Sequence, residues 1–264
     1  MLFKELVQIF NEKEKNALKF YIGDTSGNDR FYGESKAYVV LNSLFFPDIS
    51  TETLRAAEGK YLNPSIVADI PRLIEFFENL FSAFARSKAE KTHFSYRVER
   101  MTDFEFCRKY GRTMSMTSTC MTGFLDSYRD RQGIALLKFK IPVNTPCIDV
   151  AAALDYYAKS NENELLIPPF MTLSIAEKAL STAEMSITDS NVEPPKCSAD
   201  LTVGEVCNDV LPNDIEIHSC KAAEKVYSAL NNGKKPHSAD VSDYSHWKNQ
   251  LLSKLFYIYK NSHR

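Results

Sequence analysis

An α+β fold is predicted for this 264-residue chain. Three observations carry the prediction: helix-spaced apolar stripes up to about residue 90, a series of short strand-like runs from Thr92, and helix-like spacing again after about Thr202.

Each element follows from its local pattern. Leu73, Phe76, Phe77, Leu80, Phe81 and Phe84 recur in steps of three and four, which lines one face of a helix. Met1 to Lys19 mixes Leu2, Phe3, Leu6, Ile9 and Phe10 with Lys and Glu, and reads as a surface amphipathic helix rather than a Sec signal. The Gly/Asp/Asn/Ser-rich stretch Gly23 to Arg30, and Pro47 with Asp48, mark loops. Three or four helices are therefore expected before the strands. Candidate strands are His93 to Val98, Ser115 to Cys120, Ile134 to Ile141, Leu165 to Ile167, Met171 to Ile175 and Cys197 to Val203. Ala222 to Leu230 and Trp247 to Tyr259 return to helical spacing around an Asn-Asn-Gly-Lys-Lys-Pro loop. The expected division is a helical lead-in (1–90), a core (91–204) and a helical extension (205–264). No internal repeat or low-complexity tract interrupts it.

Composition excludes several classes of function. With 32 basic and 34 acidic side chains the formal charge is −2, so the basic excess that binds a nucleic-acid backbone is missing. No apolar run reaches the ~20 residues of a membrane span; the richest, Leu73 to Phe84, is broken by Glu75, Glu78 and Asn79. Cys107, Cys120, Cys147, Cys197, Cys207 and Cys220 form no CxxC, and His93, His218, His237, His246 and His263 show no metal spacing. Reduced, unligated thiols and a metal-independent chemistry are expected, with disulfides formally open. Neither Gly-x-Gly-x-x-Gly nor a phosphate-binding Gly-x-x-x-x-Gly-Lys-[Ser/Thr] motif occurs.

The segment richest in chemistry is Ser160-Asn161-Glu162-Asn163-Glu164-Leu165-Leu166-Ile167-Pro168-Pro169-Phe170. In an extended backbone Glu162 and Glu164 point to the same side, a place for an acceptor cation or a developing positive charge. By itself Glu-x-Glu is common and marks a polar turn before a strand. Two upstream segments add to it: Phe94-Ser95-Tyr96-Arg97 and Met116-Thr117-Ser118-Thr119-Cys120.

An arginine, then Ser-Thr about twenty residues on, then Glu-x-Glu before Leu-Leu-Ile-Pro-Pro resembles the arginine/serine/Glu-x-Glu class of mono-ADP-ribosyltransferases. The likeness covers roughly residues 20 to 205 and includes Tyr38 to Leu44 in the helical lead-in. It implies two mainly antiparallel sheets around an NAD⁺ cleft, NAD⁺ as co-substrate, and a target protein carrying the acceptor, with arginine as the residue modified.

Residue by residue, the resemblance implies that Arg97 pairs with an NAD⁺ phosphate and that the main chain of Val98 holds the nicotinamide amide, although many relatives have glycine there. Ser118 would bond Glu164 and line the ribose, while Thr119 supports the strand. Glu164 would accept from the ribose 2′-hydroxyl and stabilise the oxocarbenium-like centre. Glu162 would orient the acceptor arginine and take its proton. Tyr128 and Arg131 match a loop that covers nicotinamide, and Tyr156 and Tyr157 precede Glu162 where relatives present an aromatic to the target; an ordinary charged surface turn with a packed tyrosine, and a capped helix burying Leu154 and one tyrosine, are the respective alternatives. Cys120 and Met116 depart from the pattern, standing where a serine and an aromatic are usual.

Two alternatives stay open beside protein modification. One is an NAD⁺ glycohydrolase using Arg97, Ser118 and Glu164 with water as acceptor. The other is an inactive relative acting as a binding module through its C-terminal helices. Stand-alone enzymes of this kind are often bacterial toxins or injected effectors, so a soluble protein acting in a host cytoplasm and one living in the cytosol are both compatible with the lack of a Sec signal. The oligomeric state is not specified by any of these features.

Overall fold

The computed structural model describes residues 10–22, 70–113, 115–124, 134–154, 163–185 and 195–206. The described residues up to Ala85 belong to one compact unit and those from Arg86 onward to another.

The first unit holds α1 (Glu12–Ile22) and α2, which runs Ile70–Arg86. Asn11 and Glu14 form a reciprocal capping box at the start of α1: Glu14 N–H donates to Asn11 Oδ1 at 3.0 Å, and Asn11 N–H donates to Glu14 Oε2 at 2.9 Å. Glu14 is buried and also accepts from Ser82 Oγ of α2 at 2.7 Å. The predicted stripe of α2 is the buried one, with Phe77, Leu80, Phe81 and Phe84 inside and Phe76 edge-on to Phe20 of α1. The amphipathic reading of Met1 to Lys19 is met from Glu12 onward; its first nine residues lie outside the described ones.

The second unit contains β1 (His93–Arg100), α3 (Met101–Tyr110), β2 (Thr117–Cys120), β3 (Ile134–Ile141), β4 (Ile148–Asp149), α4 (Val150–Ala153), β5 (Glu164–Ile167), β6 (Met171–Lys178), α5 (Thr182–Met185) and β7 (Cys197–Val206). The fold is α+β. Its strands join in the order β4-β5-β2-β1-β3-β7-β6, every pairing among them antiparallel except β3 with β7. Two halves, β4-β5-β2 and β1-β3-β7-β6, meet through the single register pair Tyr96↔Cys120. Inner strands are covered on both faces: Leu165, Leu166 and Ile167 of β5 and Ile134 to Leu137 of β3 are all buried.

All six candidate strands are found, several of them extended by two or three residues. The short β4 and α5 and the whole of α3 were not anticipated, whereas α4, capped by Asp149 and followed by the buried Leu154, falls where a capped helix burying Leu154 was one of the two expectations. Helix α3 ends at Gly111, which takes the left-handed conformation (φ 60°) that stops a helix, and buries Phe104. In α5, Ser181 and Glu184 repeat the capping-box pattern seen in α1.

The turn from β5 to β6 is tied down by one residue. Thr113, buried, donates from Oγ to Pro168 O at 2.9 Å and accepts there from Met171 N–H at 2.9 Å. Its main chain adds Thr113 N–H to Met171 O at 2.8 Å and Phe170 N–H to Thr113 O at 2.7 Å. Phe170 itself sits at φ 64°, a left-handed conformation that costs a side-chain-bearing residue about 1–2 kcal/mol and persists where its surroundings hold it.

Candidate active site

Arg97, Ser118 and Glu164 lie on β1, β2 and β5, which are neighbours in the sheet. Cys120 is the hinge of the arrangement: it pairs with Glu164 on one side and with Tyr96 on the other, so these three residues form one row across three strands. Directly paired residues share a face, and Ser118, two residues from Cys120, joins them there. Strands stand about 4.8 Å apart, so the row spans roughly 10 Å from Glu164 to Tyr96.

Arg97 follows Tyr96 and therefore leaves β1 from the other face. It reaches the row because the β1–β2 ladder is one pair long. Beyond that pair the Ser118 carbonyl faces β1 without a ladder partner, and Arg97 Nη1 donates to it at 2.7 Å. The contact joins the guanidinium to the main chain of Ser118. Opposite Glu164, the register sets Cys120, whose Sγ lies 3.0 Å from Thr122 Oγ1. The departure noted in the sequence is thus the residue that faces the central carboxylate.

Thr119 is buried, and its hydroxyl donates to Leu165 O at 2.9 Å, clamping β2 to β5 immediately beside Glu164. Val98 is buried with Ile134 and Leu136, against Phe124 and Leu180. Its side chain leaves β1 on the same face as Tyr96, which also packs against Phe124.

Glu164 is the first residue of β5. Asn163 before it has φ 39°, and Asn163 O accepts from Met121 N–H at 3.2 Å. Asparagine tolerates this left-handed conformation, and β5 begins at the residue after it. Glu162, Tyr128, Arg131, Tyr156 and Tyr157 lie outside the described residues, as do both C-terminal helices predicted from the sequence.

Glu99 was missed. Its carboxylate pairs with Arg97 Nε, the two side chains being 13% and 25% exposed. The spacing that drew attention to Glu162 and Glu164 also relates Arg97 to Glu99, and on β1 that spacing holds.

Among the described residues no group of three or more His, Cys, Asp or Glu is arranged to hold a metal ion, and no helix is long and apolar enough to cross a membrane. Cys107, Cys120, Cys147 and Cys197 are not joined in disulfides.

No family model and no curated protein matches the chain. Among solved structures it is similar to the ADP-ribosylating toxin BECa of a C. perfringens binary enterotoxin, at 16% identity and a TM-score of 0.47 over 75% of this chain and 44% of that one. It is similar to the enzymatic component C2-I of the C2 toxin from Clostridium botulinum, at 14% identity and a TM-score of 0.47 over the same shares, 75% and 44%. A third is the C3 exoenzyme of Clostridium limosum, at 14% identity and a TM-score of 0.46 over 75% of this chain and 88% of that one. The matched region is thus less than half the length of the first two.

Proposed function

We propose that the chain binds NAD⁺ and transfers its ADP-ribose to an arginine of a target protein, releasing nicotinamide. The observation that supports this most is that residues 21 and 46 positions apart in the sequence, Arg97, Ser118 and Glu164, belong to three adjacent strands, with Arg97 bonded to Ser118. The sequence likeness to the arginine/serine/Glu-x-Glu transferases assigns a role to each.

In this reading Glu164 accepts from the 2′-hydroxyl of the nicotinamide ribose and stabilises positive charge as the glycosidic bond to nicotinamide breaks, the work a carboxylate does at a sugar carbon. Arg97 pairs with the diphosphate, where a permanently charged planar fork suits the oxygens. Ser118 lines the ribose, Thr119 holds β5 in place, and the main chain of Val98 receives the nicotinamide amide. Tyr128 and Arg131 cover the bound dinucleotide, while Tyr156 and Tyr157 face the target protein. An acceptor arginine is protonated at neutral pH and a poor nucleophile, so Glu162 orients it and takes the proton. The same reading has the protein act as a toxin or effector on a protein target.

The test is incubation of labelled NAD⁺ and a cell lysate with wild type, Glu164→Gln and Glu162→Ala. Glu164→Gln is expected to lower both nicotinamide release and protein labelling by roughly 10²–10³. Glu162→Ala is expected to abolish labelling and spare release. Full labelling by Glu164→Gln would end the proposal; loss of release in Glu162→Ala would end the division of roles between the glutamates.

A further inference from the structure

We infer that Glu99 is a positioning residue that aims the Arg97 guanidinium at the NAD⁺ diphosphate; this rests on the reading of Arg97 proposed above. Arg97 and Glu99 are two residues apart on β1, so their side chains leave the same face of the strand. Glu99 Oε2 accepts from Arg97 Nε, and Glu99 Oε1 accepts from the Arg100 main-chain N–H at 3.2 Å. The carboxylate is therefore anchored to the backbone of its own strand while it holds the arginine.

At the other end of the guanidinium, Nη1 donates to Ser118 O at 2.7 Å. A planar group bonded at Nε from β1 and at Nη1 from β2 has its plane fixed, whereas an arginine held at one point can still turn about its last torsions. Both partners are substantially buried, at 25% exposure for Arg97 and 13% for Glu99, so water competes weakly for these bonds. Fixing the fork before the dinucleotide arrives lowers the ordering cost of the bound state. Glu99 makes no contact with the reacting sugar in this account; it acts through Arg97.

Two substitutions separate shape from charge. Glu99→Gln removes the charge and keeps one acceptor oxygen for Arg97 Nε, while its NH2 takes the place of the oxygen that accepts from the Arg100 N–H. Glu99→Asp keeps the charge and withdraws the oxygen by one methylene. The experiment measures nicotinamide release against NAD⁺ concentration for the full chain as wild type, Glu99→Gln, Glu99→Asp and Arg97→Ala, with circular dichroism establishing that each is folded. Glu99→Asp and Arg97→Ala are expected to raise KM for NAD⁺ about tenfold with kcat changed far less, the signature of lost binding alignment. Glu99→Gln is expected to stay within about threefold of wild type, because its remaining oxygen still accepts from Arg97 Nε and only the exposed bond from the Arg100 N–H is lost. The inference is overturned if Glu99→Asp leaves KM unchanged while Arg97→Ala raises it, or if Glu99→Gln is impaired as much as Glu99→Asp. An unchanged KM in Arg97→Ala removes the diphosphate reading itself, and the role of Glu99 with it.

Discussion

Replacing Thr113 with valine keeps the shape of the side chain and deletes its hydroxyl. The change removes the bond to Pro168 O and the bond from Met171 N–H, both 2.9 Å long, and leaves the two main-chain bonds of Thr113 in place. Thr113 is 1% exposed and Met171 0%, so water does not reach the site to replace what is lost. Each bond is worth about 1 kcal/mol net, and stranding its partner in a buried place adds about 1–3 kcal/mol of desolvation. Allowing for partial relaxation, Thr113→Val should destabilise the sheet by about 2–4 kcal/mol. At about 2–4 °C per kcal/mol for a chain of this size, the melting temperature should fall by roughly 4–16 °C. Thr113→Ser retains the hydroxyl and should lie within about 1 kcal/mol of wild type. Thermal unfolding followed by far-ultraviolet circular dichroism measures both variants. The turn held by Thr113 begins one residue after β5, and β5 is four residues long with Glu164 at its far end. A loosened turn shifts the strand that carries Glu164, and under the proposed function kcat for nicotinamide release should drop by about 10–100-fold. A valine variant as stable as wild type would refute the reasoning.

Other expectations follow from the same geometry. Burial, with help from Lys91 and against Asp149, lowers the pKa of His93 below its usual value. The folded protein then binds this proton less readily than the unfolded chain, so the contribution is intact above about pH 6.5 and is lost as pH falls through the lowered folded value; His93→Gln should flatten that part of a stability–pH profile, and an unchanged profile would count against the assignment. The Cys147 thiol is buried, which pushes its pKa up to about 12, with Asp149 adding to the effect; it should resist alkylation at about pH 8 in the folded protein and react once urea is added, as mass spectrometry of labelled peptides would record. Glu14→Ala removes the reciprocal half of the capping box, the bond from Asn11 N–H, together with the bond from Ser82, and should cost about 2–3 kcal/mol in chemical denaturation. A loss below about 0.5 kcal/mol would show that the capping box contributes little here.

The amino-acid sequence by itself determined the α+β class, the buried stripe of α2 and the positions of six strands, because each depends on a local period of apolar residues that a few neighbours suffice to set. It also supplied Arg97, Ser118 and Glu164, since residue types in a fixed order are visible without a fold. Helix α3 was hidden because its buried face is narrow, with Phe104 its only fully buried large side chain among the described residues, although Gly111 signalled its end. Only the tertiary structure decided what meets what: that Cys120 is the register partner of Glu164, that the Ser118 main chain receives Arg97, that Glu99 holds the same guanidinium, and that Asn163 takes a left-handed conformation just before β5. Strand order, ladder length and a single left-handed residue are set by long-range pairing, and that pairing leaves no periodic trace along the chain.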